Sequence, residues 1–498
     1  MIAPLLCALA LAGDADQPDE APAVETPPPA APAGEPDVAG EPDAAPGDSR
    51  DEEIFGSRDE EIFGSTDQVA PADEGEIFGG EANGALGQPL RTDASIAARL
   101  DEADRRFEIG GQAWMRANAA LTLPDDEPAI QLDNPNFIDL YGDARPNDRI
   151  RFYARTRVRH DLTIQEGDLS SFGQELQPTT VLLDQMWLNF DVGHKAFVTL
   201  GRQRIKWGVG RLWNPTDFLA PSTLDGLAVF DERTGVGLLK VHIPIEKTGT
   251  NLYVLADFEG ATAPSEVGGA LRLEQLLGPV EVALSGALRK DEPQRLGAQV
   301  SLPVGLFDFK GELGLQHGVT SPYWEGELDI DSFTLPTEVS REDDWIPQAL
   351  GGVELGLRYN DEDTVYVGAE YFYNSAGYDD SSLYPWLLVQ SQFTPFYLGK
   401  HYVAAYVLLM GPGQLDEHSF TLTGISNLSD RSVVGRFDYS VILLTELRFN
   451  AYVQVHGGEP GGEFSFALEV PPIPETLPDG LTIDAPVVDA GVGFRVAF

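Results

Sequence analysis

Cysteine is almost absent from this 498-residue chain, and the single one, Cys7, lies near the start. A mature chain without that start would have no thiol, which excludes disulfides, thiolate metal sites and thiol nucleophiles. Basic residues are also scarce, since 33 Lys and Arg face 80 Asp and Glu, for a net charge of −47. Such a chain would be repelled by a phosphate backbone, so we expect no nucleic-acid partner.

Long apolar runs are missing as well. No run of about 18 apolar residues follows the first twelve, so the sequence predicts no transmembrane helix. If the chain enters a membrane, a closed barrel is the architecture that remains. The seven histidines show no metal-binding spacing and no Gly-x-Ser-x-Gly motif occurs. We therefore expect no enzyme activity, no metal site and no cofactor.

The first 91 residues predict export followed by disorder. Residues 2–12 are apolar and end in Ala10-Leu11-Ala12, which is typical of a signal-peptidase site, although no basic residue precedes them. We predict a signal peptide over residues 1–12. Residues 13–91 are rich in Pro, Ala, Gly, Asp and Glu. They cannot bury enough apolar surface to offset their ordering entropy, so they predict a disordered acidic tether.

A short motif occurs three times in this tether, at residues 51–57, 59–65 and 74–80. Each copy places acids before Ile-Phe-Gly. The copies could be repeated ligands for a periplasmic partner, with an apolar pair to fill a pocket and acids to steer. They could equally be duplications in a low-complexity spacer. The candidate partner-binding residues are Ile54, Phe55, Ile62, Phe63, Ile77 and Phe78.

From residue 107 onward, apolar and polar residues alternate, after a short helix predicted over residues 92–106. Residues 149–161 alternate most clearly, with arginines on one face. In the next alternating segment one face carries Leu182, Asp184, Met186, Leu188 and Phe190, and the other carries Gln185, Trp187 and Asn189. Strands of about ten residues, apolar outward and polar inward, are typical of outer-membrane barrels.

The connections between these segments alternate between short and long, as do the periplasmic turns and outer loops of such barrels. Counting them gives about 18 strands, with 16 as the alternative. The predicted fold class is all-β, a closed antiparallel transmembrane β-barrel over residues 107–498. The last strand ends in Phe498, which resembles the C-terminal signal of outer-membrane barrels.

Residues 107–498 resemble porin-like outer-membrane proteins of Gram-negative bacteria. The likeness lies in Gly201-Arg202-Gln203, Trp207-Gly208, Asn214-Pro215-x-Asp217 and the segments 143–148, 370–374 and 397–402. It implies a cell outer-membrane location, surrounding lipid and lipopolysaccharide, and passage of a small polar solute. It also implies that the third outer loop, residues 207–232, folds inward and narrows the pore.

The predicted pore-lining residues are basic: Arg149, Arg151, Arg155, Arg157, Arg159, Arg202, Arg204 and Lys206. Such a row would attract anions, unless acids across the lumen cancel it. Glu281, Glu354 and Glu370 are also predicted to face inward, and this cancellation is the favoured interpretation for substrate choice.

The predicted constriction-loop residues are Trp207, Gly208, Gly210, Arg211, Trp213, Asn214 and Asp217. The glycines permit backbone bends, and Asn214-Pro215 favours a turn. Trp207 and Trp213 could instead belong to the aromatic belts at the membrane interface.

These features favour a channel for diffusion of small polar solutes, with anions preferred if the basic row is not cancelled. Two alternatives stay open. One is a non-conducting structural or adhesive barrel. The other is a substrate-specific export or uptake barrel that docks periplasmic partners on the repeats. The sequence leaves the solute and a homo-oligomeric state open.

Overall fold

A computed structural model describes residues 106–124, 128–168, 175–220, 226–228, 233–319, 321–328, 334–359, 363–470 and 481–498. The predicted signal peptide, the tether with its Ile-Phe-Gly repeats, and all but the last residue of the predicted helix lie outside these residues. Among the residues described, no helix is long and apolar enough to cross a membrane.

Eighteen antiparallel strands form one closed sheet in the described part of the chain, which confirms the predicted fold class. The barrel closes where the first strand pairs with both the second and the last. The strands are β1 Phe107–Thr122, β2 Pro135–Asn147, β3 Ile150–Asp161, β4 Thr179–Val192, β5 Ala196–Gln203, β6 Val236–Ile245, β7 Thr250–Asp257, β8 Gly268–Leu277, β9 Val280–Leu288, β10 Gln294–Val304, β11 Phe307–His317, β12 Trp345–Arg358, β13 Thr364–Asn374, β14 His401–Met410, β15 His418–Asn427, β16 Ser432–Leu444, β17 Leu447–Gly458 and β18 Pro486–Ala497.

The alternation seen in the sequence separates the two faces of this sheet. Leu273 of β8 pairs directly with Leu284 of β9, and their side chains are 40% and 54% exposed. The next pair along these strands is Arg272 with Ser285, and both side chains are buried. An apolar outer face around a polar inner face is what a barrel in lipid requires. The exposed leucines therefore mark the lipid-facing surface.

One rim of the barrel carries the short turns and both ends of the described chain. Gly278 and Gly305 occupy two of these turns with φ of 66°, a conformation that tight hairpins need and glycine adopts without strain. At the same rim, the Gly111 nitrogen donates to the Phe498 carbonyl at 2.7 Å. Short turns in such barrels face the periplasm, so this is the periplasmic rim.

The opposite rim carries the longer connections and the few remaining elements. These connections include the inner loop (residues 204–235), the sixth loop (318–344), the seventh loop (375–400), the eighth loop (428–431) and the ninth loop (459–485). Helix α1, Tyr384–Val389, lies in the seventh loop. The remaining short elements are the strands Ala129–Asp133, Tyr323–Glu325, Thr337–Val339, Leu468–Val470 and Leu481–Ile483 and the 3₁₀ turns Glu246–Thr248, Pro264–Glu266 and Glu463–Ser465.

The predicted faces of β4 are wrong at Asp184 and Leu182. Arg155 pairs with Gln185, whereas the next residue, Thr156, pairs with Leu183, so Asp184 is an extra residue in a β-bulge. The bulge turns Asp184 inward, where it is fully buried. Because side chains alternate with a period of two, one inserted residue moves the side chains on its far side to the opposite face of the sheet. Leu182 therefore does not lie on the face predicted for it.

Candidate pore and its inner loop

The inner loop lies against the inward face of the barrel over a long arc. Trp207 and Leu219 pack with Leu238 of β6 and Tyr253 of β7 in one buried cluster. Further along, the loop reaches a second cluster made of Leu212, Trp213 and Leu227 with Leu350, Phe372 and Tyr402 on β12, β13 and β14. The described part of the loop therefore lines the wall from β6 to at least β14.

A carboxylate on β11 anchors this loop. Oε1 of Glu312 accepts hydrogen bonds from the backbone nitrogens of Val209 at 2.5 Å and Gly210 at 2.8 Å. Its Oε2 accepts one from Oγ1 of Thr216 at 2.8 Å. Charge-assisted hydrogen bonds in a buried site are among the stronger ones, so Glu312 holds both arms of the loop's turn.

A second carboxylate continues the series on β13. Glu370 accepts from the backbone nitrogens of Arg211 at 2.6 Å and Leu212 at 3.0 Å. Four successive amides, residues 209–212, thus point at two wall carboxylates. Consecutive N–H groups of this kind form a concavity that binds anions, and here the anions are side chains of the barrel itself.

Two predicted loop glycines are required by close packing. Gly208 has φ of 117°, and a Cβ there would overlap the side chain of Asn214. A Cβ at Gly210 would overlap the carbonyl of Trp213. The loop can therefore fold back on itself only where side chains are absent.

Both predicted loop tryptophans are buried inside the barrel and do not belong to an interface belt. Trp213 is 0% exposed and stacks on Phe372, with ring centroids 5.5 Å apart. Trp207 is 2% exposed, and the guanidinium of Arg272 lies 5.5 Å from its ring centroid. Both rings serve packing of the loop onto the wall.

The remaining predicted loop residues also contact the loop or the wall. The Arg211 guanidinium lies 4.4 Å from the Tyr406 ring centroid. Asp217 accepts from the backbone nitrogen of Trp207 at 3.0 Å and from Arg233 at 2.9 Å. Burial raises the pKa of Asp217, and the charge of Arg233 opposes that rise.

The central arginines of the predicted lining do face inward, but acids accompany them. Arg157 is fully buried, and Asp139 of β2 accepts two of its hydrogen bonds, at 2.7 and 2.8 Å. Asp184, the bulge residue, lies 2.9 Å from Arg204 and 3.7 Å from Arg155. Each of these guanidiniums therefore has a carboxylate within ion-pair distance.

The outer members of the row lie apart from this centre. Arg151 pairs with Asp143 at 3.1 Å, and the exposed Arg149 pairs with Asp191 at 2.7 Å near the periplasmic rim. Arg159 lies towards the other end of β3, opposite Phe137. Lys206 lies in the inner loop, close enough to Asp217 to act on its charge.

Arg202 is not part of the lining. It pairs directly with Met186 and with Gly237, and it shares a face of β5 with Leu200. Met186 and Leu200 are 45% and 47% exposed on the lipid-facing side, and Arg202 forms a 3.0 Å ion pair with Glu259 there. Arg204 does not face the lipid, because β5 ends at Gln203. The strand alternation that would place Arg204 on the same face as Arg202 therefore stops one residue before it.

Sequence reasoning missed the acids that compensate the arginines. Asp139 and Asp143 lie on the inward face of β2. Asp139 lies between the exposed Ile138 and Leu140, and Asp143 lies on the same face further along the strand. The alternation of apolar and polar residues in β2 could therefore have revealed both acids. Asp184 had no such signal, because only the bulge turns it inward. The wall of β2 to β5 is thus a set of ion pairs rather than an uncompensated positive stripe.

Eighteen strands enclose a lumen wide enough for an aqueous channel, and here a loop anchored by Glu312 and Glu370 occupies part of it. The architecture is a closed antiparallel β-barrel with an apolar outer face and a loop folded into its lumen.

No family model and no curated protein matches the chain. Among solved structures it is similar to a triple mutant of the Rhodopseudomonas blastica porin, with 10% identity and a TM-score of 0.38 over 79% of this chain and 100% of that one. It is also similar to a loop-deletion mutant of OmpT, an outer membrane protein of Vibrio cholerae, with 9% identity and a TM-score of 0.34 over the same shares.

Proposed function

We propose that this barrel is an outer-membrane channel through which small polar solutes diffuse. The observation that carries the proposal is the inner loop, which Glu312 and Glu370 hold inside the barrel by hydrogen bonds to four successive amides. A loop fixed within a wide, polar lumen narrows it, which is how a barrel of this size limits the solutes that pass.

The inner wall supports only a modest preference for anions. Fixed charges along a lumen set ion selectivity, and the arginines of β3 are the charges that would favour anions. Asp139, Asp143 and Asp184 lie against them at ion-pair distance and cancel much of their field. We therefore propose a channel that admits ions of both signs, with anions somewhat favoured.

Planar-bilayer recording on the purified, folded barrel tests the channel. Discrete conductance steps are the expected result. A folded barrel that never conducts would overturn the proposal and favour the structural or adhesive alternative. Folding is checked by the shift in electrophoretic mobility on heating.

Reversal potentials in a salt gradient test the selectivity. We expect Arg204→Glu and Arg155→Glu to shift permeability towards cations, because each reverses a charge beside the lumen. Arg149→Glu is the matched control, since Arg149 is exposed at the periplasmic rim. Unchanged selectivity in both lumen variants would remove the arginines from the mechanism.

A further inference from the structure

Three outer loops pack together above the barrel. Tyr384 and Leu387 of α1 and Leu398 form a buried apolar cluster with Phe466 of the ninth loop, and Trp324 of the sixth loop packs against it. Loops that share a core move together rather than separately. What holds this assembly onto the barrel wall therefore affects the whole outer mouth.

One buried carboxylate, Glu463 of the ninth loop, makes that attachment. It accepts hydrogen bonds from the Tyr402 hydroxyl of β14 at 2.6 Å and from Nδ2 of Asn427 of β15 at 2.8 Å. It also accepts from the backbone nitrogen of Phe396 in the seventh loop. A single side chain thus joins two loops to two strands.

A second carboxylate faces it. Asp430 of the eighth loop accepts from the backbone nitrogen of Glu463 at 2.8 Å and from Nδ2 of Asn427 at 2.8 Å. The Asn427 amide thus lies between two acids. In the described part of the chain, neither acid has a lysine or arginine within ion-pair distance.

The other titratable groups around Glu463 come from α1, from the last two strands and from the eighth and ninth loops. The Tyr384 hydroxyl of α1 lies 3.2 Å from Nδ2 of Asn427. His456 of β17 contacts the neighbouring carbonyl of Phe464 at 3.0 Å, and its other nitrogen lies 2.7 Å from Asp489 of β18. An exposed ion pair, Arg431 with Glu459 at 2.7 Å, lies at the edge of the site.

This attachment continues to the inner loop. The carbonyl of Phe396, whose nitrogen contacts Glu463, accepts a hydrogen bond from Nε1 of Trp213 at 3.0 Å. The Phe396 ring packs on that of Phe464, with centroids 5.6 Å apart. Phe396 therefore bridges the outer assembly and the loop inside the lumen.

We propose that Glu463 is a proton-sensitive latch, which docks the seventh and ninth loops onto the barrel when neutral and loosens them when ionised. Its effect on gating rests on the proposed channel function, whereas the docking itself does not.

Linkage sets the direction of the effect. Burial raises the pKa of Glu463 from 4.5 to about 7, and the nearby charge of Asp430 adds to the rise. The docked loop therefore binds the proton more tightly than a released loop in water. Docking is strongest at pH below 4.5, weakens as the pH rises towards about 7, and is weakest above that.

Thiol labelling at a single pH tests the docking independently of conductance. In a Cys7→Ser background, Ser465→Cys places the chain's only thiol at a buried position of the ninth loop. At about pH 8 we expect Glu463→Gln, which mimics the neutral acid, to slow its labelling at least ~10-fold. Equal labelling rates with and without Glu463→Gln would overturn the latch.

Glu459→Gln is the matched control, because Glu459 belongs to the same loop and is exposed. It should leave the labelling rate unchanged. A Glu459 variant that slows labelling as much as Glu463→Gln would also overturn the latch, since any lost acid would then suffice.

Bilayer recordings of the full chain without added cysteine test the gating. We expect steady openings at about pH 5.5 and frequent partial closures at about pH 8.5, with Glu463→Gln steady at both. Wild-type traces that do not change with pH would overturn the latch. A complete lack of conductance would instead overturn the channel, and the labelling rates would still decide the latch.

Discussion

Oε1 of Glu312 lies 2.8 Å from the backbone nitrogen of Gly210, 102 residues earlier in the chain. A carboxylate on the wall thus holds the turn of a loop that left the sheet six strands before. This contact and its counterpart at Glu370 give the lumen its shape, because they fix where the loop lies across it.

Glu312→Ala should release the inner loop. The substitution removes the acceptor of bonds from Val209, Gly210 and Thr216, and each buried donor left without a partner costs about 1–3 kcal/mol. We expect larger and noisier single-channel conductance. Glu325→Ala, at an exposed position of the sixth loop, is the control, and identical traces for both variants would show that Glu312 does not anchor the loop.

Trp213→Ala should loosen the same loop by a different route. Trp213 is fully buried against Phe372 and Tyr402, and removing such a ring costs about 3–5 kcal/mol because of the cavity that remains. The expected result is higher conductance with the barrel still folded. Trp345→Ala removes a ring that is 53% exposed on the outer face and should leave conductance unchanged.

Asp184→Ala should weaken the barrel and increase its preference for anions. The variant leaves Arg155 and Arg204 without the acid that lies beside both, and breaking a buried pair costs about 3–5 kcal/mol. We expect unfolding at a lower temperature in the heat-mobility assay and a reversal potential shifted towards anions. Asp191→Ala, which affects an exposed pair with Arg149, should change both quantities little, and equal effects of the two variants would contradict this role of the bulge.

The acidic repeats should act outside the barrel. We expect a chain lacking residues 13–91 to fold and conduct as the full mature chain does. A peptide spanning residues 51–80 should retain a periplasmic protein that a peptide with all three Ile-Phe pairs replaced by Ala-Ala does not. If both peptides retain the same proteins, the repeats are a spacer.

The strand count could be predicted because its signals are local. Each strand shows its own period of two, and each short turn has its own glycine or polar residue. The exposed Leu273 and the buried Arg272 of β8 show the same pattern in the sequence as in the fold. Neither signal depends on residues elsewhere in the chain, which is why the inward-facing Arg155 and Arg157 were also predictable.

The errors arose where a local pattern is interrupted. Asp184 faces inward because of one inserted residue, and that insertion is visible only when β4 is laid against β3. Arg202 faces lipid because β5 continues through Gln203 before the alternation ends. Periodicity gives no sign of the inserted residue in β4. In β5, by contrast, the apolar Leu200 two residues before Arg202 already indicates the outer face.

The sequence by itself determined a closed barrel of about eighteen strands, with sixteen left open, an apolar outer face and an arginine-rich stretch of inner wall. Only the tertiary structure decided which acid lies beside each arginine and that Glu312, Glu370 and Glu463 hold loops. The physical reason is that strand formation depends on neighbours along the chain. A hydrogen bond such as that between Glu312 and Gly210 instead depends on closing the barrel around a loop from a distant part of the chain.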